Sequence, residues 1–261
     1  MIQFLKDSTF AVNEVINKSW DLLRQHYFSV AGLCFLLFLT SNTSGILAFY
    51  LNEVSPFLSA FMAFLFVILY FGIQLALFKY IFQLIDGKDH VRLQETIPTT
   101  RELVYFFAAM CCIAAIALVF YFIISLLGFP LVYAGVDITV LVDITRVIAA
   151  VLIFLFLLRV AFYPFFIIDR HAGPWRAVKL SFALTKGNIT KLLLILVFFA
   201  ILHLLYIYFN YSGYPIVSTA LSVINSFLVG PLSSVVVAMA YRDMMMHYQG
   251  GEDPKVTENI I

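Results

Sequence analysis

Six apolar runs, each longer than a bilayer crossing requires, restrict the fold of this 261-residue chain more than any other feature. They lie near 27–51, 57–85, 103–129, 141–168, 189–211 and 215–244, and about 20 apolar residues suffice to cross the hydrocarbon core. Lipid offers no partners to backbone N–H and C=O groups, so each run is predicted to be an α-helix that satisfies its own. The expected fold is all-α: a polytopic integral membrane protein with six transmembrane helices plus two or three cytoplasmic interfacial amphipathic helices. Composition agrees, with 63% hydrophobic and 12% charged residues. A soluble core of this length would still leave about a quarter of the chain surface in water. One membrane domain is expected over 1–248, followed by a polar tail at 249–261. The excess length predicts tilts or kinks, with Gly230-Pro231 marking one. Short connections at Leu51–Pro56 and Tyr211–Pro215 make hairpins of spans one and two and of spans five and six.

The few cations set the orientation. With six spans, Lys6, Lys18, Arg24, Lys79, Lys88, Arg92, Arg101, Arg170, Arg176, Lys179, Lys186, Lys191, Arg242 and Lys255 share one side with both termini. Arg146 stands on the other, and Arg159 falls within a span. Loops rich in Lys and Arg stay cytoplasmic, so both termini are expected there. Tyr206, Tyr208, Tyr211 and Tyr214 then form an aromatic belt at the outer interface. The opening MIQFLKDSTFAVNEVINKSW carries acids and no continuous apolar core, unlike a cleavable signal peptide. A net charge of +1 leaves no basic surface for nucleic acid. Cys34, Cys111 and Cys112 sit in apolar runs without metal or redox spacing and read as small buried hydrophobes.

Two amphipathic elements precede spans. In 8–26, Phe10, Val12, Val15, Ile16, Trp20 and Leu23 recur at three- and four-residue spacing, opposite Asn13, Glu14, Lys18 and Asp21. In 174–186, Pro174 suits the first turn and Gly187 a left-handed C-terminal cap. Trp175, Val178 and Phe182 supply that element's apolar surface, while Arg176, Lys179 and Lys186 stay wet. A helix of this kind lies in the headgroup layer, aided by anionic lipid. The segments also match without gaps: residues 16–26 (INKSWDLLRQH) align on 178–188 (VKLSFALTKGN), sharing Ser, an aromatic, Leu and a cation. The repeated unit is an interfacial helix plus a transmembrane hairpin, in parallel orientation. Residues 86–101 are the place for a third, decayed copy.

Arg159, Pro164, Asp169, Gly173-Pro174, Ala177, Ser181, Leu184, Thr185 and Lys186-Gly187, followed by an apolar span, carry a family resemblance. This order resembles the membrane-domain family associated with glycerophosphoryl diester phosphodiesterases, and related uncharacterised bacterial six-span proteins. It covers about 35 residues, and Ser19-Trp20-Asp21-Leu22-Leu23-Arg24 is similar to the family's opening helix; the other spans match in hydropathy alone. In such fusions the phosphodiesterase is a separate soluble barrel with paired acidic metal ligands, and no such domain exists here. The resemblance therefore implies a stand-alone module of a bacterial cytoplasmic (inner) membrane.

Arg159 lies ten residues before Asp169, about 15 Å along a helix. An intramembrane arginine is costly and faces protein, water or a headgroup. It reads as a lipid-phosphate or substrate site, or as an arginine that snorkels or pairs with a carbonyl; Pro164, which brings it nearer the interface, favours the second. Arg159, Arg176, Lys179 and Lys186 are the candidate lipid or ligand contacts. His203 has no acidic neighbour one turn away and reads as a helix-contact histidine. Ser218, Ser222, Ser226, Gly230, Ser234 and Ala238 recur every fourth residue along span six, a small-residue stripe that lets helices approach closely in lipid. It fits packing within the monomer first and a homo-oligomer contact second.

The chain has no Gly-rich phosphate loop, His-Glu-x-x-His, nucleophile elbow or apolar carboxylate pair. No metal, cofactor or catalytic residue is assigned; Asp169, His171 and Asp243 are the only contributors an enzyme would have. The favoured reading is a non-enzymatic lipid-binding or membrane-organising protein whose partners are membrane lipids. The alternative is a component of a transporter for a lipid-like or small amphipathic solute.

Overall fold

A computed structural model describes residues 11–88, 91–133 and 137–246. The expectations for Lys6, for Ser8, Thr9 and Phe10 at the head of the first interfacial element, for Lys255 and for the tail at 249–261 lie outside those residues.

The described chain is helical throughout, with no strand among the described residues. In order the helices are α1 (Val12–Val54), α2 (Pro56–Ile85), α3 (Leu93–Thr96), α4 (Thr100–Tyr133), α5 (Ile138–Val160), α6 (Tyr163–Arg170), α7 (Pro174–Leu184), α8 (Ile189–Tyr211), α9 (Pro215–Ile224), a π-helical turn (Asn225–Val229) and α10 (Gly230–Met246). Among the described residues six stretches are long and apolar enough to cross a membrane: Val12–Val54, Pro56–Ile85, Thr100–Leu127, Thr139–Arg170, Ile189–Tyr211 and Pro215–Met246. The protein is an all-α integral membrane protein. Dozens of large apolar side chains, Phe28, Phe49, Phe122 and Ile216 among them, face outward, which lipid accommodates and water does not.

Two contact-dense units make up the chain, one drawn from Met1–Thr99 and Thr190–Ile261, the other from Thr100–Ile189. In the first, α1 and α2 form the expected hairpin. Ser55 caps α2 by accepting the Leu58 N–H at 3.4 Å, ahead of Pro56 in the first turn, and Ser59 donates back to the Ala48 carbonyl at 3.0 Å. Helix α10 packs on both. Tyr241 is fully buried with its ring 5.5 Å from that of Phe82, and Arg242 pairs with Asp86 at 2.9 Å.

The first interfacial element joins span one without a loop. Two helices meet across a kink at His26, the one residue between Val12 and Val54 with non-helical angles (φ −120°, ψ 25°), which is the boundary expected between element and span. No glycine or proline stands at that junction to end the helix, so the chain bends instead of breaking. Its buried stripe is Val15, Ser19, Leu23 and Val30, whereas Trp20, expected on the apolar face, turns outward. Among the described residues of 86–99 the one helix is the four-residue α3, so no helix like the other two stands where the third copy was expected. Pro98 follows at once and opposes continuation.

The kink expected at Gly230-Pro231 is a π-helical turn, in which the Gly230 N–H bonds to the Asn225 carbonyl five residues back. Pro231 has no N–H to offer the Phe227 carbonyl. The Tyr27 hydroxyl of α1 donates to that oxygen instead, at 2.8 Å. At the start of the same turn Asn225 Nδ2 lies 3.2 Å from His203 Nδ1 of α8, the helix-contact role expected of that histidine.

In the second unit α4 packs on α5, α6 and α7, and Phe106 stacks on Tyr163 at 5.4 Å. Cys111, expected to be buried, lies on the outside of α4; in lipid an outward thiol is as well accommodated as an inward one. Span four is broken. Helix α5 stops at Val160, Ala161 and Phe162 make a turn, and α6 restarts with Pro164 in its first turn.

Candidate functional site

The break in span four builds the most elaborate polar arrangement of the second unit. Pro164 cannot donate to the Val160 carbonyl and its ring crowds it, so the helix turns at Phe162 (φ −92°, ψ 4°). That turn strands backbone groups in an apolar setting, where each unsatisfied one costs several kcal/mol. Ser181 of α7, fully buried, repairs it from outside: its Oγ accepts the Phe162 N–H at 3.0 Å and donates to the Arg159 carbonyl at 3.0 Å. Thr185, one turn on, also reaches the Arg159 carbonyl at 3.1 Å, sharing its proton with the Ser181 carbonyl at 3.0 Å. Small Ala177 at the other end of the stripe lets α7 approach this closely.

The side chain of Arg159 points elsewhere. Its guanidinium carbon lies 4.1 Å from the centre of the Phe182 ring. Its Nε is buried without a hydrogen-bond partner, and no carboxylate pairs with the guanidinium among the described residues. Phe182 is 41% exposed and Trp175 52%. Arg176 and Lys179 are exposed as well, and Lys179 Nζ lies 5.4 Å above the Trp175 ring. The outward face of α7 thus carries Trp175, Arg176, Lys179 and Phe182, with Arg159 reaching it across the Phe182 ring. Lys186 is exposed just past the helix end. There Gly187 takes φ +86°, the left-handed conformation its position predicts.

This departs from the expected division of the helix. Val178 is buried inward with Ala177, Ser181, Leu184 and Thr185, while the two aromatics turn out beside the cations. The inward face needs small and hydroxylated residues to seal the break, so the rings take the side that a bilayer interface welcomes.

The segment aligned with α7 follows the same plan. Val15, Ser19 and Leu23 are as buried as Ala177, Ser181 and Thr185, and Trp20 is 45% exposed where Phe182 is 41%. The bend at His26 falls on Asn188, where α7 gives way to α8. The copies differ in chemistry: Ser19 Oγ is buried with no partner, and Ser181 Oγ has two.

Acidic groups of the second unit are engaged locally. Asp169 lies 3.3 Å from Arg170, and the buried Glu102 carboxylate lies 3.8 Å from Nδ1 of exposed His171. His171 itself ends α6 in a left-handed conformation, φ 48°. No three His, Cys, Asp or Glu residues stand close enough to hold a metal among the described residues. Asp243 belongs to the first unit. In the stripe of span six, Ser218 and Ala238 are buried, Ser222 is half-buried, and Ser226, Gly230 and Ser234 line a cavity between α1, α2 and α10. Sequence reasoning missed the roles of Ser181, Thr185, Tyr27 and Glu102; an i, i+4 pair of hydroxyls on an otherwise apolar face was the available signal for the first two.

No protein-family model matches the chain, and no curated protein or solved structure does.

Proposed function

We propose that the protein is a non-enzymatic membrane module that binds the headgroup of an anionic phospholipid at the outward face of α7, with Arg159 as the central contact. The observation that carries the reading is the Arg159 guanidinium, seated on the Phe182 ring with no carboxylate partner among the described residues. An arginine within a span costs about 2.5–3.5 kcal/mol on insertion scales. A single cation–π contact returns about 0.5–2 kcal/mol, so the ring alone leaves the charge undercompensated. A phosphate offers the guanidinium paired charge-assisted hydrogen bonds.

The neighbours support the same ligand. Cations near an anionic surface contribute roughly 1 kcal/mol each, so Arg176, Lys179 and Lys186 together favour an anionic over a neutral surface by about a hundredfold. Trp175 and Phe182 suit the headgroup depth. The distribution of Lys and Arg supports a cytoplasmic position for this face and both termini; a bacterial inner membrane and kinship with the membrane domains of glycerophosphoryl diester phosphodiesterases are part of the same proposal.

Native mass spectrometry of the protein released from mixed phosphatidylglycerol and phosphatidylcholine nanodiscs tests it. Wild type should retain phosphatidylglycerol, Arg159→Ala should lose it, and Arg146→Ala should behave as wild type. Equal retention by wild type and Arg159→Ala would overturn the proposal.

A further inference from the structure

The first unit contains a partly open cavity of about 260 Å³ lined by residues of α1, α2, the π-helical turn and α10. Its wall has two characters. Leu37, Phe38, Leu77 and Phe78 form the apolar part, and Phe38, exposed on the outside of α1, marks an open side. Cys34, Tyr70, Gln74, Ser226, Ser233 and Ser234 form the polar part. No Lys, Arg, Asp, Glu or His lines it. Arg159 is not on its wall, so this is a different site from the one above.

The depth is that of the hydrocarbon core. Cys34 and Phe38 lie eight and twelve residues past the bend at His26, which is about 12–18 Å along the helix. Tyr70 to Phe78 occupy the middle to lower part of the 30-residue α2. Polar groups at such depth usually spend their hydrogen bonds on the backbone. Ser233 and Ser234 do so, both donating to the Gly230 carbonyl at 2.9 and 3.0 Å, which leaves their remaining oxygen lone pairs as acceptors. The Tyr70 hydroxyl, the Gln74 amide and the Ser226 hydroxyl have no hydrogen-bond partner among the described residues. An amide left unpaired in an apolar medium costs roughly 2–7 kcal/mol, and Gln74 stands in an otherwise apolar run from Phe57 to Phe78 apart from Ser59 and the tyrosine. The wall is also where span six leaves α-helical geometry, at Asn225–Val229, and single π-turns recur at functional sites.

We infer that this cavity is a binding site for the head of an uncharged amphiphile, a hydroxyl-bearing lipid of the long-chain alcohol or diacylglycerol kind. A hydroxyl both donates and accepts, so it satisfies the Gln74 carbonyl or a serine oxygen with its proton and the Gln74 amide or Tyr70 hydroxyl with its lone pairs. A carboxylate or phosphate head would arrive with no counter-charge and pay a far larger desolvation penalty. The volume is just under the range of whole small-molecule pockets, about 300–1,000 Å³, and so fits a head with the start of its chain. The tail leaves past Phe38 into lipid.

The test is photocrosslinking in nanodiscs with three probes that share a chain-borne diazirine two carbons from the head: a C16 alcohol, the C16 carboxylate and the C16 alkane. Peptide mass spectrometry should find the alcohol on residues 34–38, 70–78 or 226–234, with the carboxylate and alkane at background. Gln74→Leu, close in volume, should lower alcohol labelling about tenfold, the loss of one buried hydrogen-bonding partner, while Ser125→Ala, in the other unit and bonded to its own helix, leaves it unchanged. Thermal stability of Gln74→Leu at or above wild type shows that the variant is folded, and unlabelled dodecanol should compete the signal away. Equal labelling by the alkane, labelling indifferent to Gln74→Leu in folded protein, or no labelling of the wall (a cavity that holds water only) would each overturn the inference.

Discussion

Removing the Ser181 hydroxyl should be among the costliest conservative changes in this chain, and the geometry says how much. Ser181→Ala deletes one acceptor and one donor. The Phe162 N–H then loses its 3.0 Å bond to Ser181 Oγ at the turn where span four breaks. The Arg159 carbonyl keeps Thr185 at 3.1 Å. Removing the partner of a buried hydrogen-bonding group costs about 1–3 kcal/mol, so the expected loss is about 2 kcal/mol. Thr185→Val leaves Ser181 on the same carbonyl, and side-chain bonds between membrane helices average about 0.6 kcal/mol. The double variant strips the Arg159 carbonyl of both hydroxyls, so its cost should exceed the sum of the single ones by about 1 kcal/mol. Reversible SDS-induced unfolding in mixed micelles, followed by the fluorescence of Trp20 and Trp175, measures all three. A fourth background isolates the cause: with Pro164→Ala the helix can run through, the Phe162 N–H recovers the Leu158 carbonyl, and Ser181→Ala becomes cheap. The reasoning fails if Ser181→Ala costs under about 0.5 kcal/mol, if the two changes are additive, or if Pro164→Ala leaves the cost of Ser181→Ala untouched.

Tyr27→Phe should cost about 1 kcal/mol in the same assay, because the Phe227 carbonyl loses its 2.8 Å donor beside Pro231, and the cost should vanish in a Pro231→Ala background that restores a backbone N–H; an unchanged cost there refutes the assignment. Gly187→Ala should cost about 1–2 kcal/mol from φ +86° alone, since a Cβ there meets nothing within 4 Å, while Gly187→Asn should cost less; equal costs would point to packing instead. Asp137 caps α5 through the Thr139 hydroxyl and then the Thr139 N–H, at 2.7 and 2.8 Å, and these bonds hold its carboxyl below the ordinary value of 3.8. A carboxylate whose folded value is lowered stabilises above its unfolded value and loses that contribution as pH falls through the folded one. Exchange of the Thr139 and Val140 amides, corrected for intrinsic rates, should be flat from pH 7 to about 5 and accelerate below about 4, and Asp137→Asn should remove that acceleration; an onset above pH 5 would contradict it.

The spans were legible because hydropathy over twenty or more residues reports burial in lipid directly, whatever packs against what. Pro164, Pro231 and Gly187 were legible as breaks because their backbone restrictions are local. What closes each break was not, because Ser181 lies 22 positions from the Arg159 carbonyl and Tyr27 lies 200 from Phe227, and no periodicity links them. Helix faces were half legible for a different reason. In water an apolar stripe has one destination, the core, but in a bilayer it has two. Three- and four-residue spacing therefore placed Trp20, Trp175 and Phe182 on an apolar surface without telling inward from outward, and small Ala177 and Ser181 were the better guide to the buried side.

The polar residues of the spans divide by what they are used for. Thr40, Ser125, Ser218, Ser233 and Ser234 return their protons to their own helices. Ser181, Thr185 and Tyr27 hold helix breaks closed from a neighbouring helix, and His203 and Asn225 tie α8 to the π-helical turn. Those uses are self-contained, since the polar group's cost in lipid is offset inside the protein that carries it. Arg159 and the Tyr70–Gln74–Ser226 group are not offset in that way. One is a cation on an outward face among other cations, and the other is a neutral set facing a partly open cavity. A membrane protein gains nothing in stability from either, because leucine at position 159 or 74 would be cheaper in hydrocarbon. On the proposed reading the two sites would take two different molecules, an anionic headgroup at the surface and a neutral hydroxyl within the span.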